Sequence, residues 1–172
     1  MSTDIGAEIG RHLGPLRRYA RALLRDRSEA DDLVQDSVTR ALSRVHCYRP
    51  GTNLRAWLFT IMHNVHVNQV RQKVARPDGV AVEEAAPRLV TPASQEDHVE
   101  LRDMARVLGD LPAEQRQVLL LVALEGLKYD EVAQVLDIPI GTVMSRLSRA
   151  REALRQRLSG AKPATPLLRR VK

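Results

Sequence analysis

The sequence predicts an all-α protein made of two small helical domains, and three observations support this prediction. Hydrophobic residues make up 44% of the 172 residues and aromatic residues only 3%, a composition that favours helices over sheets. Apolar residues recur with helical spacing on both sides of a proline-rich stretch at residues 76–94. No segment shows the strict alternation of apolar and polar residues that indicates a half-buried strand.

The proline-rich stretch divides the chain, and the charges follow that division. We expect, in order, a first domain, a flexible linker, a second domain and a basic tail, at residues 1–75, 76–95, 96–160 and 161–172. Lys and Arg outnumber Asp and Glu by 13 to 7 in residues 1–77 and by 13 to 8 in residues 101–172, whereas residues 78–100 hold one Arg against six acids. Two basic blocks suggest two modules that each meet a polyanion, although ordinary solvated surfaces would give the same pattern.

The first half predicts three helices. Pro15 can begin the first, Ser28 can cap the second, and the third begins near Leu54. The second helix carries an apolar stripe of Leu33, Val34, Val38, Ala41, Leu42 and Val45. Trp57 lies among apolar neighbours on the third helix, which favours core packing over a stacking role.

The second half predicts a helix-turn-helix. Helices are expected over residues 99–111 and 114–125, then a short helix over residues 130–136. Asp137 to Gly141 allows only a sharp turn, and Thr142 is a natural N-cap for a longer helix. That last helix carries five arginines against one acid, which makes it the most basic element of the chain.

The polar face of this basic helix is the first candidate site. With Val143 in the core, the helical period places Ser145, Ser148 and Arg149 on the opposite side. The second helix of a helix-turn-helix enters the DNA major groove, where Arg, Ser and Thr bond to bases and phosphates. The expected DNA contacts are Thr142, Met144, Ser145, Arg146, Ser148 and Arg149. The alternative is the basic surface helix of an ordinary bundle.

The segment over residues 111–154 resembles region 4 of the bacterial sigma-70 family, specifically of its extracytoplasmic-function (ECF) subgroup. The motifs that carry the resemblance are Leu111-Pro112, Glu125-Gly126-Leu127, Tyr129 to Ala133, and Gly141-Thr142-Val143 through Ser145-Arg146. The resemblance implies that the second domain recognises the −35 promoter element. It departs at Met144, where the group often carries a basic residue, so no −35 sequence preference is transferred.

Residues 27–42 resemble the region 2 helix with which sigma factors bind the clamp of RNA polymerase. Asp31, Asp32, Gln35 and Asp36 project from the face opposite the apolar stripe, and the resemblance implies that they bind polymerase. An acidic patch in a basic domain suits a protein partner better than DNA, although a solvated helix face is the alternative.

Residues 48–72 resemble the segment that binds and opens the −10 element. The resemblance implies a loop from Arg49 to Asn53, an amide at Asn64 that contacts a flipped base, and basic positions at Arg71 and Lys73. Asn68, four residues after Asn64, shares that side of the helix. Asn64 lies in an otherwise apolar helix, so we expect it to need a polar partner.

These observations predict an ECF sigma factor that binds core RNA polymerase and directs it to −10 and −35 elements. The expected partners are core RNA polymerase, promoter DNA and an anti-sigma factor, in the bacterial cytoplasm. No cofactor and no enzymatic activity are expected, because no nucleophile and base, phosphate loop or carboxylate pair stands in a suitable arrangement. No apolar run is long enough for membrane insertion. The alternatives are a sigma-like decoy that sequesters an anti-sigma factor, and a helix-turn-helix repressor.

Cys47 is the one cysteine of the chain, which excludes an internal disulfide. Together with His46, His63 and His66 it suggests a metal site, but the pattern lacks a CxxC or His-Cys frame. We therefore predict no metal site and leave a redox role of Cys47 open.

Overall fold

The computed structural model describes residues 5–75 and 106–159, called here the N-terminal half and the C-terminal half. The described N-terminal half contains α1 (Ile5–Arg11), α2 (Leu13–Leu23), α3 (Arg27–Ser43), a 3-10 turn (Val45–Cys47) and α4 (Leu54–Ala75). The C-terminal half contains α5 (Ala113–Leu119), a π-helical segment (Leu120–Leu124), α6 (Tyr129–Leu136) and α7 (Ile140–Leu158). The described residues contain no strand, and the all-α prediction is confirmed. The predicted linker and basic tail lie outside the described residues.

Two helix starts in the N-terminal half differ from the prediction. α2 begins at Leu13, so Pro15 lies inside its first turn, where a missing N–H breaks no helical hydrogen bond. α3 begins at Arg27, because the carboxylate of Asp26 accepts a hydrogen bond of 2.8 Å from the Glu29 N–H. Asp26 therefore takes the capping position that was predicted for Ser28. A carboxylate there also interacts favourably with the helix dipole.

The core of the N-terminal half lies between α2, α3 and α4. Tyr19 of α2 and Phe59 of α4 meet edge to face with ring centroids 5.2 Å apart. Trp57 is partly buried and lies 5.3 Å from the ring of Tyr48, which agrees with the predicted packing role. Leu42 was expected in the core but is 50% exposed. One residue corresponds to about 100° of helix rotation, so Leu42 turns away when Ala41 faces the core.

The helix-turn-helix of the C-terminal half forms as predicted, except at its second helix start. α6 ends at Leu136, followed by Asp137 in the left-handed conformation (φ 52°). The Ile138 N–H donates to the Ala133 carbonyl at 3.0 Å, which closes the helix end. α7 begins at Ile140 after the extended Pro139, so Thr142 lies within its first turn and is not the N-cap.

The recognition helix α7 is anchored by its apolar stripe. Val143, Leu147 and Ala150 are buried in the same core as Val132 and Val135 of α6. A residue buried every three or four positions fixes the rotation of α7 about its axis. The opposite face of α7 is therefore held toward solvent.

The two halves pack directly against each other in this structure, and their cores are continuous. α6 packs on α4, and the π-helical segment packs on α2. The guanidinium of Arg116 donates to the Leu23 carbonyl at 3.2 Å, and that of Arg25 donates to the Gly109 carbonyl at 3.0 Å. The structure therefore shows a closed arrangement of the halves.

The π-helical segment is a local widening of the helix that α5 begins. The Glu125 N–H donates to the Leu120 carbonyl at 3.0 Å, a bond that spans five residues instead of four. Gly126 then ends the helix with φ 65°, a conformation that glycine adopts without strain. The sequence predicted the end at Gly126 but not the wider turn before it.

Candidate nucleic-acid and partner surfaces

The exposed face of α7 presents most of the residues predicted to contact DNA. Met144, Ser145, Ser148 and Arg149 are exposed, and Arg149 forms no ion pair within the described part of the chain. This face displays hydroxyl and guanidinium groups to solvent, as a groove-binding helix requires.

Two other predicted DNA contacts of α7 are less accessible. Thr142 is half-buried, and the guanidinium of Arg146 forms an ion pair of 2.7 Å with Glu114 at the start of α5. Arg146 is therefore turned along the protein surface toward α5. Its guanidinium borders the exposed face of α7 without projecting from the centre of that face.

A groove of about 370 Å³ runs beside the exposed face of α7. Tyr129 of α6 and Met144, Ser148, Arg151 and Arg155 of α7 contribute to its lining. Arg155 forms an ion pair with Glu152 at 2.6 Å within the same helix. The guanidinium groups along this groove can contact a phosphate backbone next to the bases that the helix faces.

The predicted polymerase-binding residues form one exposed surface on α3. Asp31, Asp32, Gln35 and Asp36 are all exposed. Asp31 lies 3.4 Å from Arg21 of α2, and Asp36 accepts a hydrogen bond of 3.0 Å from Gln69 of α4. The fold holds the edges of this acidic surface in place and leaves its centre open.

The polar face of α4 carries three of the residues predicted to meet the −10 element. Asn64, Asn68 and Arg71 follow one another at helical spacing, and all three are exposed. The expectation that Asn64 needs a partner inside an apolar helix is wrong, because its side chain is in solvent. Lys73, two residues after Arg71, is paired with Glu29 of α3.

The loop before α4 lies at the other end of that helix and includes the exposed Arg49. The side-chain oxygen Oδ1 of Asn53 accepts a hydrogen bond of 3.1 Å from the Ala56 N–H and so caps α4. Its amide nitrogen donates to Glu131 of α6 at 2.5 Å. With a rise of about 1.5 Å per residue, the loop lies roughly 25 Å from Arg71. The two ends of this candidate surface are therefore far apart, and a contact from the C-terminal half occupies one of them.

The sequence did not indicate the charged cluster at the junction of the halves, called here the Glu125 cluster: Arg18, Arg55 and Glu125. The Glu125 side chain is fully buried, and its carboxylate accepts hydrogen bonds from Arg18 of α2 and Arg55 of α4. Arg55 also lies 6.0 Å from the ring centre of Phe59. Burial raises the pKa of Tyr19, and the charge of Glu125 adds a smaller contribution in the same direction. In the sequence, Glu125 stands out only as part of the Glu125-Gly126-Leu127 motif.

Comparisons with known proteins match both halves of the chain. Residues 9–63 match the family model described as the Sigma2 domain of PhyR, and residues 101–154 match Sigma-70, region 4. The ECF RNA polymerase sigma factor EcfG of Rhodopseudomonas palustris is 37% identical over 142 residues, which cover 81% of this chain and 76% of that protein. The chain belongs to the ECF RNA polymerase sigma factors. This family is a class of transcription initiation factors.

Two solved structures place the ECF chain among related folds. The sigma factor RpoE of Bartonella quintana, solved with the anti-sigma factor NepR, is 36% identical and superposes with a TM-score of 0.79 over 91% of this chain and 97% of that one. The anti-anti-sigma factor PhyR of the same organism, also solved with NepR, is 19% identical with a TM-score of 0.57 over 90% of this chain and 52% of that one. The second likeness shows the fold alone.

The histidines of α4 lie near the junction of the halves in this ECF sigma factor. Burial lowers the pKa of His63, and the charge of Asp137 opposes that shift. Burial also lowers the pKa of His66, helped by the positive groups around it and opposed by Glu29. The Nδ1 atom of His63 is buried without a hydrogen-bond partner in the described structure. Both imidazoles are therefore disfavoured as cations in the closed arrangement.

Metal-ligating side chains do not gather in the described residues, where no three His, Cys, Asp or Glu side chains stand close enough to hold a metal ion. Cys47 is a free, exposed cysteine. Over the same described ranges, no helix has the length and apolar character needed to span a membrane.

Proposed function

We propose that this ECF sigma factor binds core RNA polymerase and directs transcription initiation at promoters with −10 and −35 elements. The observation that carries the proposal is the exposed face of α7, which displays Ser145, Ser148 and Arg149 while the opposite stripe is buried. A helix held in this way can enter the major groove with those side chains toward the bases. The −35 element is the DNA that we assign to this face.

The first domain supplies the other two contacts. We assign the acidic surface of α3, centred on Asp32 and Gln35, to core polymerase, because an acidic surface repels DNA phosphates and suits a basic protein partner. We assign the −10 element to Arg49, Asn53, Asn64, Asn68, Arg71 and Lys73. Exposed amides on α4 can pair with the edge of an unstacked base, and the neighbouring cations can hold its backbone.

The domain boundaries remain those that the sequence suggested. We propose a −10 and polymerase-binding domain at residues 1–75 and a −35-binding domain at residues 96–160, joined by a linker at residues 76–95 and followed by a tail at residues 161–172. The proposed activity requires no chemical step and no cofactor, and it places the protein with RNA polymerase in the bacterial cytoplasm.

An anti-sigma factor is the proposed regulatory partner. Support comes from the 36% identical sigma factor RpoE, which was solved in a complex with the anti-sigma factor NepR. A protein that covers both the acidic surface of α3 and the exposed face of α7 would block polymerase and promoter together. Competition between such a protein and core polymerase for the purified chain is the measurement that tests this partner.

The sigma-like decoy is the second candidate, because the first domain matches a model described as the Sigma2 domain of PhyR. Over 90% of the chain, however, the identity to PhyR is 19%, against 36% over 91% of the chain to the sigma factor RpoE. The exposed face of α7, with Arg149, is also not needed in a protein that only sequesters an anti-sigma factor. These observations favour the sigma factor.

Run-off transcription tests the proposal directly. Core polymerase from the source bacterium, purified chain and fragments of its genome are combined, and we expect promoter-specific transcripts that are absent with core alone. Binding to core without any such transcript contradicts the proposal. Failure to bind core combined with binding to an anti-sigma factor indicates the decoy, and sequence-specific duplex binding without core binding indicates the repressor.

A further inference from the structure

The Glu125 cluster joins the two halves through a buried charge. Glu125 is the one Asp or Glu among the described residues that is buried, with 1% of its surface exposed. A carboxylate loses its hydration when it is buried, so it is tolerated only where other groups replace the lost water. Both groups that do so here belong to the N-terminal half.

The geometry of the cluster is that of a strong charge pair. Arg18 donates through Nε to Oε1 at 3.1 Å and through Nη2 to Oε2 at 2.9 Å, a bidentate contact. Arg55 donates through Nη2 to Oε2 at 2.6 Å. The side chain of Arg18 is half exposed and that of Arg55 is one-third exposed, so both reach solvent at the edge of the junction. Separation of the halves would expose all three charged groups to water.

A second carboxylate of the C-terminal half occupies a neighbouring polar group. The carboxylate of Glu131 in α6 accepts one hydrogen bond of 2.5 Å from the side-chain amide of Asn53 and another of 2.8 Å from the backbone N–H of Lys128. Asn53 belongs to the loop assigned to the −10 element, and Arg55 lies two residues beyond it. Two carboxylates of the C-terminal half thus contact the start of α4, at Asn53 and at Arg55.

We propose that the Glu125 cluster holds the chain in a closed, autoinhibited state that masks polar groups at the start of α4. Glu131 engages the side-chain amide of Asn53, an exposed residue assigned to the −10 element, and Glu125 holds Arg55 two residues further along. Opening breaks the contact between Glu125 and the two arginines and frees their guanidinium groups for the DNA backbone. Closure is then a property of the chain itself and needs no inhibitor. The masking part rests on the proposed function, because it assumes that Asn53 faces the −10 element.

The direct test removes the charge of Glu125 and measures the separation of the halves. Spin labels are placed on the natural Cys47 and on a cysteine introduced by Ala113→Cys, both of which are exposed positions. Pulsed EPR of the full chain should give a narrow, short distance distribution. Glu125→Gln preserves the shape of the side chain but leaves two guanidinium groups without a counter-charge, so the distribution should broaden and lengthen. An unchanged distribution overturns the proposal.

The matched control is Glu152→Gln, which removes a glutamate that is also paired with an arginine, but within α7. This variant should keep the narrow distribution. If Glu125→Gln loses its helical circular dichroism signal, Arg18→Gln is measured in its place, because this half-exposed side chain can be replaced without a buried cavity. The same broadening is expected, and its absence counts against the proposal.

The masking part is tested without polymerase. Binding of a fluorescein-labelled, mixed-sequence single-stranded DNA to the full chain is followed by anisotropy, and Glu125→Gln should bind roughly fivefold or more tightly than the parent chain. Opening without a gain in DNA affinity overturns the masking. Failure of the proposed sigma function is seen separately, as missing transcripts in the run-off assay, and leaves the EPR result intact.

Discussion

The two proposed promoter surfaces differ in how available they are in the closed structure. On α7, Ser145, Ser148 and Arg149 face solvent. At the start of α4, Asn53 is bonded to Glu131 and Arg55 to Glu125, both from the other half. The comparison indicates that the closed chain can offer its −35 surface while part of its −10 surface is engaged. Recognition of the two elements would then occur in sequence, with the −10 contact following the opening of the chain.

The largest effect that we expect is on the exposed face of α7, which is available in the closed structure. Arg149→Ala should weaken binding of the chain to −35 duplex DNA by about 1–3 kcal/mol and relax the preference at one base pair, because a base-contacting guanidinium is lost. Arg151→Ala, on the neighbouring groove, should weaken binding similarly for all sequences. Gel-shift titration against a panel of −35 variants measures both. If Arg149→Ala retains the parent's affinity and base preference, α7 does not face the bases in the way we infer.

The acidic surface of α3 is also available in the closed structure, so polymerase can meet it before opening. The double substitution Asp32→Lys and Asp36→Lys should weaken core binding roughly tenfold, since it places repulsive charge at the contact. Asp130→Lys, an exposed acid of α6, is the control and should change core affinity little. Fluorescence titration with core polymerase measures the affinities, and circular dichroism checks the helices. Unchanged core affinity in a folded double variant would place the polymerase contact elsewhere.

The proposed −10 surface is only partly engaged in the closed chain, so its DNA affinity should respond differently to substitution at Asn64 and at Asn53. Asn64→Ala removes an exposed amide and should weaken binding of single-stranded −10 DNA by about 1 kcal/mol, the usual worth of one hydrogen bond. Asn53→Ser keeps an oxygen to cap α4 but removes the side-chain N–H that Glu131 accepts. Because that N–H is already engaged in the closed chain, its loss should change DNA affinity less than Asn64→Ala does. In a Glu125→Gln background the two effects should become similar. If Asn53→Ser already weakens DNA binding as much in the parent chain, Asn53 is not masked.

The smallest expected effect is that of pH on the junction. Burial lowers the pKa of His63, and the charge of Asp137 opposes that shift. Burial also lowers the pKa of His66; His63, Lys73 and Arg116 reinforce the shift, and Glu29 opposes it. An opened chain therefore takes up protons more readily, so closure is fully stabilised above the ordinary histidine pKa of about 6.5 and weakens as the pH falls below it.

The pH effect is measured with the same spin-label pair, by titration from neutral to mildly acidic solution. The distance distribution should broaden on acidification in the parent chain and broaden less in a His63→Gln, His66→Gln double variant. His46→Gln, at an exposed site, is the control and should behave as the parent does. A distribution that does not change with pH would show that these imidazoles do not differ between the closed and open states.

The elements that repeat a local pattern were predictable from the sequence. The stripe of Val143, Leu147 and Ala150 fixed both the existence of α7 and the direction of its polar face, because burial at helical spacing determines rotation. The helix starts were less predictable, since two capping residues stood within one turn and Asp26 prevailed over Ser28. Sequence spacing alone does not decide between such neighbours.

The contacts between the halves were not predictable by the same reasoning. Arg18 and Glu125 are 107 residues apart, and no local period relates them. A glutamate next to a glycine at a helix end is ordinarily exposed, so no local pattern indicates that this one is buried. The wrong expectation for Asn64 has a different, local origin, because a largely apolar helix can still leave one narrow face in solvent.

The π-helical segment at Leu120–Leu124 sets the orientation of Glu125 and of the helices after it. A wider turn accommodates one residue more than an α-helix does, and each residue of a helix corresponds to about 100° of rotation. Conversion of this segment to a regular α-helical turn without loss of a residue would shift every later residue by one helical position and carry Glu125 about a quarter-turn away from Arg18 and Arg55. The balance between closed and open chains could thus change through the form of this single turn, with every charged side chain of the junction unchanged.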